Sequence, residues 1–213
     1  RPSLGTLTAL AEHILGREPL GLDVLRLANL SNACAVLGFS HAALLASICR
    51  ALQRHRDSLP PRTALHLLNC FSGVRWCDAA SLDLLCASLD AAQVPQYLLH
   101  VAPVTCARLA HCPPSLRPLY ALTQARVLAE VWPSRAKVGL DVAWAGAVLG
   151  TLSAKMAAWA LHGDNIQALT DEGLLVQPVT KLKLENINAY AVSCLHDYTG
   201  PTLSEGALSH SDT

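Results

Sequence analysis

Aromatic residues are scarce. Phe, Trp and Tyr make up 5% of the 213 residues while 52% are hydrophobic, so the apolar content is mostly Leu, Ala and Val. That composition belongs to packed helices and argues against a sheet protein. Charge is sparse too: Asp, Glu, Lys and Arg account for 15%, against about 25% in ordinary soluble chains. So few charges solvate a free surface poorly, and much of this one is expected to be covered by neighbours.

Other absences narrow the function. No run of about 18 uncharged apolar residues occurs, so no membrane-spanning helix is predicted. The nearest stretch, Val138 to Leu161, is interrupted by Asp141 and Lys155. Its Trp144, Val148, Leu152, Met156 and Trp159 recur at steps of three or four, which predicts a buried amphipathic helix, with Gly146 and Gly150 allowing close approach on another face. The eight cysteines contain no C-x2-C pair, the spacing of zinc knuckles and redox sites. His111-Cys112 is the nearest thing to a ligand pair and abuts Pro113-Pro114. Cys49 and Cys86 instead fall at equivalent places in a repeat, as small core hydrophobes in a reducing compartment do.

Catalytic signatures are missing as well. There is no phosphate loop ending in Gly-Lys-Ser or Gly-Lys-Thr, no Gly-x-Ser-x-Gly elbow, no His-Glu-x-x-His and no Gly-x-Gly-x-x-Gly. The histidines are scattered, and His41, His55, His66, His100 and His111 lie in or beside predicted helices, where capping or half-buried roles are common. Gly163-Asp164-Asn165 reads as a helix-ending turn. The chain is expected to be non-catalytic, with no cofactor and no metal.

What is present is a repeat. Phe39-Ser40-His41-Ala42-Ala43-Leu44-Leu45 through Cys49 returns 37 residues later as Trp76-Cys77-Asp78-Ala79-Ala80-Ser81-Leu82 through Cys86, and Leu30 and Asn32 match Leu67 and Asn69 at the same offset. Ser81-Leu82, Leu85 and Ala87 echo at an offset of 34 in Ser115-Leu116, Leu119 and Ala121. Such a period filled with helix formers predicts an all-α fold, a short α-solenoid of helical hairpins with a period of 34 to 37 residues. Residues 1–21 read as an N-terminal helix and linker, 22–132 as the array, 133–163 as a further buried helix pair or cap, and 164–213 as a divergent segment, partly extended, ending in a mobile tail from Thr199.

Punctuation places the helices. One runs from about Ser3 to Leu15, closed by Gly16 and Pro19, and one from Asp23, its N-cap, to Leu37, closed by Gly38. Ser40 caps the next, through His55, and Pro60-Pro61 precedes another to Phe71. Asp78 opens a helix to about Ala92, and a connector starts at Val94-Pro95. Tyr97 to His111 and Ser115 to Val131 form a further pair, which Pro103 and Pro118 are expected to shorten or kink. Leu182 to Val192 suits a strand or a short helix. Part of Lys181 to His196 is expected to form an ordered interface, and the chain starts at Arg1, as a processed precursor or a partial chain would.

The zero net charge conceals a polarity. Residues 22–137 hold eleven bases, ten of them Arg, against six acids, and residues 138–213 hold three bases against eight acids. Arg50, Arg54, Arg56, Arg62 and Arg75 are the candidate contacts, since guanidinium pairs bidentately with phosphate and carboxylate alike. Their partners are RNA phosphates, acidic protein neighbours, or solvent.

The layout Leu-x-x-Leu-x-Asn followed by Phe39 or Trp76, then a Leu-rich helix ending near Leu59-Pro60-Pro61, resembles the octotricopeptide and heptatricopeptide helical-repeat proteins of organelles, over about residues 22–132. The resemblance implies a mitochondrial matrix protein of the type abundant in protists such as euglenozoans and apicomplexans, acting in RNA processing or as a structural mitochondrial ribosomal protein. Residues 164–213 carry no copy of the RAP domain that ends many such chains. The Val-Thr-Tyr-Asn pattern of pentatricopeptide repeats is also absent, so no base-reading code is transferred. The expected function is a non-catalytic structural subunit of a mitochondrial ribonucleoprotein, most simply the ribosome, touching rRNA and neighbouring proteins. The alternative is an accessory subunit of a respiratory-chain or ATP synthase complex.

Overall fold

Local chemistry sets the helix ends in the computed structural model, which describes residues 2–17, 20–89, 98–129 and 135–197. The regular structure of those residues is helical: α1 (Leu4–Leu15), α2 (Val24–Leu37), α3 (Ala42–Arg54), α4 (Pro61–Gly73), α5 (Ala79–Ala87), α6 (Val101–Arg108), α7 (Leu116–Leu128), α8 (Arg135–Leu149), α9 (Ala154–Ala160), α10 (Gly163–Asp171) and α11 (Pro178–Asp197), with a 3-10 turn at Arg56–Ser58. Asp23 accepts the Arg26 amide at 2.8 Å, Asp78 the Ser81 amide at 2.9 Å and Ser153 the Met156 amide at 3.2 Å, each supplying an N-cap. The expectations for the Val94-Pro95 connector and the tail from Thr199 lie outside the described residues.

A single turn generates the repeat. After α2, α4, α6, α8 and α10 one residue adopts the left-handed conformation: Gly38, Arg75, Ala110, Gly150 and Gly173, with φ between 50° and 67°. The next residue's amide then reaches back across the helix end, Phe39 to the Cys34 carbonyl (2.9 Å), Trp76 to Phe71 (2.9 Å), His111 to Cys106 (3.1 Å), Thr151 to Gly146 (2.9 Å) and Leu174 to Leu169 (2.9 Å). This is the Schellman bond, which satisfies a carbonyl orphaned at the helix end. Phe39 and Trp76 therefore stand at the same place in the turn, Phe39 buried and Trp76 half-buried.

Two layers result. In one, α2, α4, α6, α8 and α11 each pack on the next; in the other, α1, α3, α5, α7 and α9 do the same; and α10 rests on α8 and α9. Leu27, Leu45, Leu52, Leu67, Leu82, Leu85 and Leu116 are fully buried in the core, each stabilising the fold by roughly 1.5–3 kcal/mol. Polar latches tie the second layer together, because α3, α5 and α7 each bind a residue at or just before the start of the next helix in the layer. Trp76 donates to the Cys49 thiol at 3.4 Å, Ser115 to the Asp83 carboxylate at 2.7 Å, and Ser153 to the Gln124 carbonyl at 2.7 Å.

Several local expectations need correcting. Val138 to Leu161 is two helices, α8 and α9, because Gly150 turns left-handed and Ser153 caps a new start. Gly146 is nevertheless a close-approach residue, since a Cβ there would lie 1.9 Å from the Tyr120 hydroxyl oxygen, whereas nothing stands within 4 Å of a Cβ on Gly150. Pro103 and Pro118 do not kink α6 or α7: both sit in the first turn, where the missing N–H has no helical partner to lose. His41, not Ser40, caps α3 through Nδ1, which accepts the Leu44 amide at 3.3 Å. His41 matches Asp78, two residues after the aromatic anchor in both repeats.

Farther on, Gly163-Asp164-Asn165 starts α10 instead of ending a helix, with His162 as its N-cap. Leu182 to Val192 belongs to the 20-residue α11. Its inner face buries Ile187 against the array, and Lys183 forms a partly buried ion pair with Asp141 of α8. The ordered interface expected within Lys181 to His196 is thus made, at least in part, with the chain's own repeats.

Candidate interaction groove

The shared turn register brings side chains from successive helices onto one line. Counting from the carbonyl that closes each turn (Cys34, Phe71, Cys106, Gly146), Ala35, Ser72 and Ala107 occupy one equivalent position, and Val36, Gly73 and Arg108 the next. Asn69 and Trp144 share a third position, two residues before the closing carbonyl. All these side chains, with Arg75, Cys77 and Leu109, line one groove of about 790 Å³ along the C-terminal ends of α2, α4 and α6 and the flank of α8.

Its lining mixes small residues with polar groups. No acidic side chain is among the described lining residues, and Arg75 and Arg108 are both exposed. Each sits at a helix C-terminus, where the macrodipole favours a cation. Neither Asn32 nor Asn69 makes a side-chain hydrogen bond among the described residues, and both are exposed. Trp144 closes one end, half-buried, with the Lys183 ammonium 5.6 Å from its ring centroid. Cys77 is exposed in the groove, and partial desolvation, then the neighbouring Asp78 charge, pushes its thiol pKa up.

Of the five arginines singled out in the sequence, only Arg75 lies in this groove. Arg50 and Arg54 on α3, Arg56 in the 3-10 turn and Arg62 at the start of α4 are exposed; Arg62 stands about 20 Å from Arg75 by helix rise along α4, while Arg50 follows Cys49, whose thiol accepts from the Trp76 indole at 3.4 Å. Arg54 has a structural task. Its guanidinium donates to the Leu20 carbonyl at 2.8 Å, and His55 Nε2 meets the Leu22 carbonyl at 2.9 Å, clamping the segment before α2 onto α3.

Arg108 and Trp144 were not singled out as contacts. The usable signal was the turn register: Arg108 precedes Ala110 as Val36 precedes Gly38. An alignment anchored on Ser81 and Ser115, with its offset of 34, slips by one residue against the turns, where Trp76 and His111 lie 35 apart.

Four cysteines follow the same register. Cys34 and Cys106 are equivalent, as are Cys77 and Cys112, and the thiols of Cys86 and Cys106 lie 3.8 Å apart in the core. No group of three or more His, Cys, Asp or Glu side chains arranged to hold a metal occurs among the described residues. No described helix is long and apolar enough to cross a membrane. No protein-family model matches this chain, and no curated protein matches it significantly. Fold and groove together define an α-solenoid with a basic groove lined from equivalent repeat positions.

Proposed function

We propose that this chain is a non-catalytic scaffold subunit of a large ribonucleoprotein and holds single-stranded RNA along the groove. One observation carries the reading: equivalent repeat positions place Arg75 and Arg108 in a single groove with Asn69, Ser72 and Trp144, and without an acidic lining residue. Guanidinium groups suit phosphate oxygens, the amide and hydroxyl suit base or sugar edges, and an aromatic ring offers stacking. Solenoids commonly bind along surfaces assembled this way. The resemblance to octotricopeptide and heptatricopeptide proteins supports a mitochondrial matrix assembly, with the mitochondrial ribosome as the proposed particle.

The test is salt dependence. Two phosphate contacts on a single strand give a slope of about −1.4 in log affinity against log salt, at roughly 0.7 per contact. Arg75→Gln with Arg108→Gln should flatten that slope and weaken binding, while Arg56→Gln with Arg62→Gln should leave it unchanged. Salt-insensitive binding, or binding indifferent to the groove pair, would sink the proposal.

A second reading is an accessory subunit of a respiratory-chain or ATP synthase complex. It is favoured by Arg54, which is spent on the chain's own Leu20 carbonyl instead of being offered to phosphate. Sedimentation of the endogenous protein separates the two. Migration with respiratory enzymes after nuclease treatment supports this one, and co-migration with rRNA supports the ribonucleoprotein.

A further inference from the structure

Trp144 is held from outside its own helix. It stands on α8 three residues after Asp141, and the Lys183 side chain reaches across from α11 to meet both. The Lys183 ammonium pairs with the Asp141 carboxylate and lies over the Trp144 ring, 5.6 Å from its centroid. Residues three apart on a helix share a face, so one ammonium serves both partners. Lys183 is turned toward α8 by register, since Ile187, one turn farther along α11, is fully buried.

This triangle fixes the ring. An ammonium within about 6 Å of an aromatic centroid is drawn to the π face, and the ion pair keeps this one in place with side-chain exposures of only 20% and 21%. A pair so shielded is weakly screened by salt. The other described tryptophans are spent on packing: Trp76 donates to the Cys49 thiol, and the Trp159 ring lies where a Cβ on Gly139 would come within 1.9 Å of it. Trp144 instead lines the groove that holds Arg75 and Arg108, and it stays half-buried there.

We infer that Trp144 is the base-stacking subsite of the groove and Lys183 its positioning residue, so the ligand is a strand with an unpaired base and not a bare polyanion. The inference rests on the RNA reading above and adds what the arginines do not supply. Arg75 and Arg108 suit any phosphate chain, whereas a preset indole favours a free base face, which a duplex keeps stacked on its neighbours. Lys183 acts through the ring. Its charge is engaged by Asp141, and neither residue is among the described groove lining.

The experiment titrates the full 213-residue chain with a short oligouridylate and with the same sugar–phosphate strand lacking its bases. Wild type should prefer the base-bearing strand by about tenfold, within the range for stacking one base. Trp144→Ala should abolish that preference and leave affinity for the bare strand unchanged. Asp141→Asn with Lys183→Met, a neutral pair that keeps both side chains' bulk and leaves no charge unpaired, should lose most of it, and combining it with Trp144→Ala should cost nothing more. Lys183→Arg, which keeps the charge and stacks on an aromatic ring, should bind as wild type does. Thermal melts confirm that each variant folds. A neutral pair that weakens both strands alike makes Lys183 a plain phosphate contact, and one that leaves the preference intact removes its positioning role; either result overturns the inference. Wild type that binds both strands equally overturns it too while the Arg75 and Arg108 reading stands, and wild type that binds neither strand sinks both.

Discussion

Arg75 occupies the left-handed turn position that Gly38 holds one repeat earlier, with φ of 54° against 63°. Glycine adopts that conformation freely, whereas a residue with a Cβ carries a penalty of about 1–2 kcal/mol. A non-glycine residue there costs stability, at Arg75 as at Ala110 with φ of 50°. Arg75→Gly should therefore raise stability by about 1 kcal/mol, a gain of roughly 2–4 °C in Tm for a chain of this size, while weakening RNA binding. Thermal melts and binding isotherms on the same sample check both halves. Gly38→Ala, made in parallel, should lose about as much stability as Arg75→Gly gains.

Tyr120 of α7 and Gly146 of α8 meet in a close contact. The buried Tyr120 hydroxyl donates to the Val142 carbonyl at 2.8 Å, and burial holds its phenol above the usual pKa range. A Cβ on residue 146 would lie 1.9 Å from that oxygen and 3.0 Å from the Leu152 backbone. Gly146→Ala should cost about 2–3 kcal/mol through overpacking. Adding Tyr120→Phe removes the nearest clashing atom, so the double variant should lose less than the two single losses combined. Strict additivity in urea unfolding would refute the contact.

The general architecture was legible because it rests on local chemistry. Asp23, Asp78, Pro61 and Gly38 act where their residue types predict, and the Phe39 to Trp76 echo reports a turn repeated by its hydrogen bonds. Departures came where one local signal was overruled by another. The apolar spacing from Val138 to Leu161 runs through a left-handed Gly150, and the prolines at 103 and 118 fall by register into harmless first-turn positions. The groove was harder to see. It joins Asn69, Arg75, Arg108 and Trp144 from three hairpins, and Arg108 and Trp144 fall into line with Asn69 and Arg75 only once the turns, not the helix starts, are aligned.

The buried thiols make stability sensitive to alkali. Burial is the leading cause that raises the pKa of Cys34, Cys49 and Cys70, the last to about 11, and the Cys106 contact raises that of Cys86. Folded thiols thus keep protons that the unfolded chain releases near pH 9.0. Stability should be level below that pH and fall above it, through about 11 for Cys70, by about 1.4 kcal/mol per pH unit for each thiol taking part. Urea midpoints at neutral pH and at about pH 10.5 measure the fall. Cys70→Ala should make it shallower by that one thiol's share, and a midpoint that holds steady in the wild type would contradict the assignment.

Gln124 tests whether the array unfolds as one unit. Its carbonyl oxygen accepts the Ser153 amide at 3.1 Å and the Ser153 hydroxyl at 2.7 Å, while its amide donates to the Thr151 carbonyl at 3.3 Å. One buried side chain on α7 therefore holds the whole turn between α8 and α9, including the residue that caps α9. Gln124→Ala should cost about 2–3 kcal/mol, near 1 kcal/mol for each bond lost. In an array where each hairpin leans on its neighbours, that loss should fall on one side of the break. Hydrogen exchange should quicken across α8 to α11 and stay unchanged in α2 to α5. Uniform quickening along the chain would mean instead that the layers unfold as one cooperative core, with Gln124 no more than one contact among many.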